Sequence, residues 1–336
     1  MWELDDRTRY SSGSNWIRDK HGTHTWLVAV RAAFHIESSG HLRLMSDQLN
    51  PVLEPIYRGD PAETALVLDS DLLWLKPTTD VVLDACAYAP NGRPVRAVET
   101  RLQIGSVDKR VIVHGPRQYH NTLSGLAVTD SERFVTAPIH YEWAFGGSDV
   151  RDPDPKNWRV HEYNPVGKGV CVKPSDLDGC PAHCIEHSRN SSTERYPAGY
   201  GAIASSWQPR RALAGTYDSV WSESRKPLLP QDYDVRFALS APEDQRPPLW
   251  LKGGEAVVIE NMTPESLLQF KLPRIEVRFR TFIQNDEPVR HVGHLSSVFI
   301  TPHENTVSMC WQSGLPLRSD KVEYLDHTEV KAVRVK

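Results

Sequence analysis

The chain has 336 residues, 39% hydrophobic and 24% charged, and its 39 basic against 43 acidic side chains leave a net charge of −4. That balance excludes nucleic acid as the main partner, because phosphate binding needs a clear positive excess. The start Met-Trp-Glu-Leu-Asp-Asp-Arg lacks the apolar core of a secretory signal, no apolar run is long enough to span a bilayer, and five cysteines do not make a disulfide framework, so a cytoplasmic protein is expected.

The 25 prolines are spread along the chain, and a proline inside a helix costs about 3 kcal/mol. Short strands with turn-rich connections are therefore expected, in a mainly β fold. The first strand is Trp26–Phe34, extended by His35 and Ile36. Others are expected at Ala65–Asp69, Asp80–Leu83, Val95–Ile104 and Lys109–His114. Asn91-Gly92 and Gly105–Asp108 read as hairpin-type turns. From Ser148 to about Pro209 the periodicity is lost, and an ordered loop region or insertion is expected. One short helix, Tyr217–Glu223, is capped by Thr216 in this reading and ended by Lys226-Pro227. Strands resume at Glu255–Glu260, Arg274–Arg280, Val298–Thr301 and Thr306–Trp311, with an alternating tail from Val322 to Val335. The expected organisation is two packed sandwich-like β units, 1–147 and 210–336, bridged by the irregular segment 148–209.

Chemical motifs are incomplete. No Gly-x-Ser-x-Gly elbow occurs. Gly199-Tyr-Gly201-Ala-Ile-Ala204 imitates a dinucleotide fingerprint, but Tyr196-Pro197 precedes it and Pro209 follows too soon for the required helix. Cys171, Cys180, His183 and Cys184 are candidate ligands for a structural zinc, with His187 close by. Their spacing matches no standard zinc arrangement, and buried thiols with solvent-facing histidines are the alternative. His21/His24 and His291/His294 have no completing ligands in the sequence. Asp232 and Asp234 would share one face of a strand, as catalytic pairs do, but Arg236 joins them there and a structural ion pair fits as well.

A series of motifs is more distinctive. Tyr141-Glu142-Trp-Ala-Phe145-Gly146-Gly147 is followed by Tyr163-Asn164-Pro165-Val-Gly-Lys-Gly169, Trp207-Gln-Pro-Arg210, Ala214-Gly-Thr-Tyr217-Asp218 and Trp221. Pro227–Pro230, Asp232-Tyr-Asp234, Arg236-Phe237, Ala241–Gln245, Gly253–Glu255 and Leu272-Pro273 complete it. In this order, from about Trp26 to Val330, the chain resembles a bacterial family of unknown function whose members accompany type VI secretion genes. The resemblance implies an effector adaptor or chaperone rather than an enzyme. Its partners would be a cognate toxin, in some cases linked to a PAAR repeat, and the valine-glycine-repeat spike. Cys180-Pro-Ala-His-Cys-Ile-Glu186 departs from the plain turn usual in that family. Two other readings stand beside it: a metal-dependent hydrolase using the Cys/His segment, and a structural component of the secretion apparatus. Tryptophan, tyrosine and arginine dominate interface energetics, but Trp207, Tyr217 and Trp221 read first as a satellite core, with Arg210 bonded to local carbonyls or carboxylates.

Overall fold

A computed structural model describes residues 1–188 and 197–334. Strands hold 42% of the residues and helices 12%, and the fold is mainly β with a few short helices. Among the described residues, fifteen strands build three larger sheets, fourteen of them numbered in chain order and the fifteenth the short strand Leu42–Leu44. The numbered strands are β1 (Glu3–Asp6), β2 (Ser11–Arg18), β3 (His24–Ile36), β4 (Asp80–Leu83), β5 (Ala97–Ile104), β6 (Val107–His114) and β7 (Ile185–His187). The rest are β8 (Ala256–Glu260), β9 (Leu267–Lys271), β10 (Ile275–Ile283), β11 (Val289–Val292), β12 (His294–Thr301), β13 (Thr306–Leu317) and β14 (Leu325–Arg334).

The largest sheet runs β2-β3-β13-β12-β4, with the short strand Leu42–Leu44 also on β3. A second runs β7-β6-β5-β8-β9, and a third β1-β14-β10-β11. The boundaries expected at 147 and 210 do not separate these sheets. β3 pairs with β13, β4 with β12, β5 with β8, and β1 with β14. Each larger sheet thus takes strands from both of the expected β units, and one apolar cluster runs from Trp26 to Val330. Sequence reading assigns neighbours by proximity along the chain; these pairings are long-range and leave no local trace.

β3 is buried on both faces. Trp26, Val28, Val30, Ala32 and Phe34 enter the main core, while Ala29 meets Leu72 and Cys310 on the other side. The chain at 69–80 covers that second face through polar contacts. Arg31 Nη1 donates to Asp71 at 2.7 Å and Gln312 Nε2 to the Asp71 carbonyl at 2.6 Å. Lys76 Nζ lies 2.9 Å from Asp80, both buried, and Asp80 also accepts from the Ser240 N–H and hydroxyl. These bonds keep buried charges satisfied and fasten 240–241 to the edge strand β4.

Several local expectations change. Gly105-Ser106 closes the β5–β6 hairpin, with Gly105 at φ +57°, the left-handed backbone that glycine adopts at low cost. Asn91-Gly92 is a turn but not a hairpin, because Cys86–Tyr88 pairs with Thr136–Pro138 and Val95 bridges Phe134. The only α-helix among the described residues, α1 (Ser219–Ser224), is capped by Asp218, whose side chain accepts from Trp221 N, and not by Thr216. Asp232 and Asp234 lie on a turn before the 3-10 turn Val235–Ala238 rather than on a strand. The tail strand starts at Leu325, and Val335 lies outside the described residues.

Candidate functional site

The motif residues of the central segment assemble one small lobe with a buried hub and an apolar exterior. Phe145–Gly146 pairs in parallel with Lys168–Gly169, and Ser148–Asp149 pairs antiparallel with Arg159–Val160. Asn164 is the buried tie. Its Nδ2 donates to the Tyr141 carbonyl at 2.9 Å and the Phe145 carbonyl at 3.0 Å, while its own carbonyl accepts from Gly147 N at 2.8 Å. That approach explains the glycine pair. Gly146 has φ +151°, and a Cβ there would sit 2.2 Å from the Asn164 carbonyl oxygen. Pro165 follows Asn164, and its carbonyl accepts from the Ser148 hydroxyl at 2.7 Å.

Tyr141 extends the hub inward. Its hydroxyl donates to the Gly201 carbonyl at 2.8 Å, and its ring meets Trp207 edge-on at 5.8 Å between centroids. Burial pushes the Tyr141 phenol well above its usual pKa. A Cβ on Gly199 would lie 2.7 Å from the Tyr141 ring. The glycines of the false dinucleotide fingerprint thus make room for a tyrosine; Tyr196 lies outside the described residues. Glu142 accepts from Ala65 N at 2.9 Å. Arg210, 1% exposed, donates to the carbonyls of Phe237 and Ile203, pairs with buried Asp69, and stacks on the Phe237 ring. Tyr141, Asn164, Trp207 and Arg210 are therefore scaffold, closed to a partner.

The lobe's exterior is different. Trp143, Phe145, Val150, Trp158, Val160 and Val172, all from the stretch 143–172, are each 36–49% exposed. The two aromatics from the motif are braced. Phe145 meets the edges of His161 and His183 at 5.5 and 5.6 Å, and Lys168 Nζ lies 4.7 Å above the Trp143 ring. Asp149 pins the lobe's outer loops, accepting from Arg151 and from Val172 N, and the Arg151 guanidinium holds its carboxyl below the usual range. Trp143 and Trp158 were not singled out from the sequence. Trp143 lay inside the quoted motif, but exposure is not visible in a segment without periodicity.

The remaining candidates sit elsewhere. Tyr217 and Trp221 touch at 4.7 Å, with Trp221 Nε1 donating to the Leu228 carbonyl. Asp232 accepts from Thr216, and Asp234 pairs with Arg236 at 2.6 Å; both carboxyls are held below their ordinary range by those partners. The two carboxylates thus serve separate turns.

Among the described residues the candidate zinc ligands of the Cys/His segment are not gathered around one point. Cys171, Cys180 and Cys184 turn their thiols to three different carbonyls, those of Lys173, Asp176 and Ala182. His183 Nδ1 meets the Tyr119 hydroxyl at 2.8 Å. No group of three or more histidine, cysteine or acidic side chains among the described residues is placed to hold a metal. What the segment does hold is Glu186, faced by His114, His183 and Arg117, which keep its carboxyl far below the usual range. That hub fastens β7 against the loop after β6.

The sequence model of a family described as "uncharacterized protein conserved in bacteria" (DUF2169) matches residues 21–312. No curated protein and no solved structure matches the chain. With most of its length covered, the chain belongs to that bacterial family.

Proposed function

Taking that membership as the premise, we propose that this protein is a type VI secretion adaptor that grips a cognate toxic effector, through the lobe at 143–172, and hands it to the spike. The grip is stoichiometric binding without covalent chemistry. The observation that carries this reading is the exposed set Trp143, Phe145, Trp158 and Val160 on a backbone locked by Asn164, Gly146 and Gly147. Rigid aromatic anchors lose little entropy when a partner docks, and aromatic side chains dominate binding hot spots. The family resemblance of the motif series supplies the type VI context and the effector as partner. In this reading the adaptor acts in the cytoplasm, before the spike is fired.

Deletion of the gene in its bacterial host tests the reading. Secretion of one toxin should stop while the inner-tube protein is still exported. Loss of both exports would favour a structural component of the apparatus instead.

A further inference from the structure

The third sheet places two like charges opposite each other at its edge, with Glu329 opposite Arg280 on the inner side. Arg280 on β10 and Arg290 on β11 are directly opposite in register, with Arg278 opposite Val292 in the next row. Gly293 N donates to the Val277 carbonyl. That bond makes Arg278–Val292 and, two residues on, Arg280–Arg290 the closely spaced, non-hydrogen-bonded pairs of the ladder. Like charges directly opposite destabilise a sheet. Nearby carboxylates are otherwise engaged: Glu276 with Arg278 at 2.6 Å, and Glu329 with Arg7 at 3.1 Å and Lys331 at 3.6 Å. Among the described residues, no carboxylate pairs with Arg280 or Arg290, and Arg280 rests instead on the Phe282 ring. Both arginines line a cleft of about 350 Å³ with Arg278, Val292, Lys331 and Glu329.

β11 is also an edge. No strand among the described residues pairs with its outer side. Because Arg290 and Val292 occupy non-hydrogen-bonded positions toward β10, their own N–H and C=O groups point outward. Their side chains share one face, Arg290 charged and Val292 47% exposed.

We propose that β11 receives an extended acidic segment of a partner polypeptide by strand addition. One carboxylate of that segment pairs with Arg290 at the sheet edge, and an aliphatic side chain two positions away covers Val292. Main-chain hydrogen bonds supply affinity and the alternate side chains supply specificity. A long polyanion is disfavoured by Glu276, Glu329 and Asp5 around the same rows and by the net charge of −4. The inference deepens the adaptor reading by giving the partner's chemistry at a second contact, and rests on that reading only for the source of the segment.

The probe is a fluorescein-labelled synthetic peptide of alternating glutamate and valine, titrated against the full chain by anisotropy, with a lysine–valine peptide as control. The acidic peptide should bind saturably and weaken with added salt, and the control should not bind. Arg290→Glu should weaken binding about tenfold or more. Arg290→Thr should also weaken it, with the melting temperature unchanged or raised, since it removes the repulsion. Absence of binding, equal binding to Arg290→Glu, or displacement by an oligonucleotide at equal charge concentration would overturn the proposal. If toxin export depends on the protein while the peptide fails to bind, this inference falls and the adaptor reading stands.

Discussion

Asp80 and Lys76 lie 2.9 Å apart with almost no solvent exposure. Lys76 is desolvated, yet Asp80, Asp71 and Asp69 hold it charged. Asp80→Ala would leave that ammonium buried without its counter-ion and the Ser240 N–H without an acceptor. Such losses cost about 3–5 kcal/mol, so denaturant unfolding should show a drop of that size; a change below 1 kcal/mol would contradict the account. His291 gives a pH signature. Burial lowers it from 6.5 to about 4, so it is neutral in the fold and takes up a proton on unfolding. Stability from this group is complete above pH 6.5 and is lost as pH falls toward 4. In His291→Gln the dependence of melting temperature on pH over that window should flatten; an unaltered slope would remove His291 as its source. At this scale the sequence was least legible. Asp69 and Asp80 read only as residues at strand ends and Asp71 and Lys76 had no reading, because nothing local marks polar groups that also bond to Arg210, Ser240, Gln312 and Ser297, each more than a hundred positions away. Arg210 was visible as part of a motif, but its enclosure by Phe237, Ile203 and Asp69 was not.

Elements with a periodic signal were readable. Arg274–Arg280 alternates in sequence, and β10 alternates in burial from Ile275 to Ile283. Asp80–Leu83 falls on the observed strand. β1 and β2 were missed because they are short or half-exposed, rich in serine, aspartate and glycine, and held mainly by pairing with β14 and β3. The helix was found but its cap misplaced: Thr216 is engaged by Asp232, leaving Asp218 to cap. In the lobe, the motif spacing was legible while its division into hub and exterior was not, since that division depends on Asn164 reaching back to Tyr141. Gly146→Ala tests the hub. Strained backbone costs about 1–3 kcal/mol, and the new Cβ would press on the Asn164 carbonyl, so the melting temperature should fall clearly. Phe145→Asp tests the exterior. It should lower stability clearly less than Gly146→Ala does, since the Phe145 ring is half-exposed, while partner binding is lost. Equal destabilisation by both substitutions would mean that Phe145 belongs to the core.

The whole molecule is interleaved. Because every larger sheet uses strands from both of the expected β units, fluorescence and circular dichroism should report one coincident unfolding transition, where separable halves would give two. A frame closed in this way is a fixed support for the lobe at one place and for the edge strand β11 at another. The most direct measurement is co-purification of the full chain with the products of the genes neighbouring its own in the host. A stable complex of fixed stoichiometry is predicted, lost in Phe145→Asp and Trp158→Asp although both variants remain folded at the temperature of the experiment. A complex indifferent to both substitutions, or none at all, would contradict the central claim that this exterior grips another polypeptide.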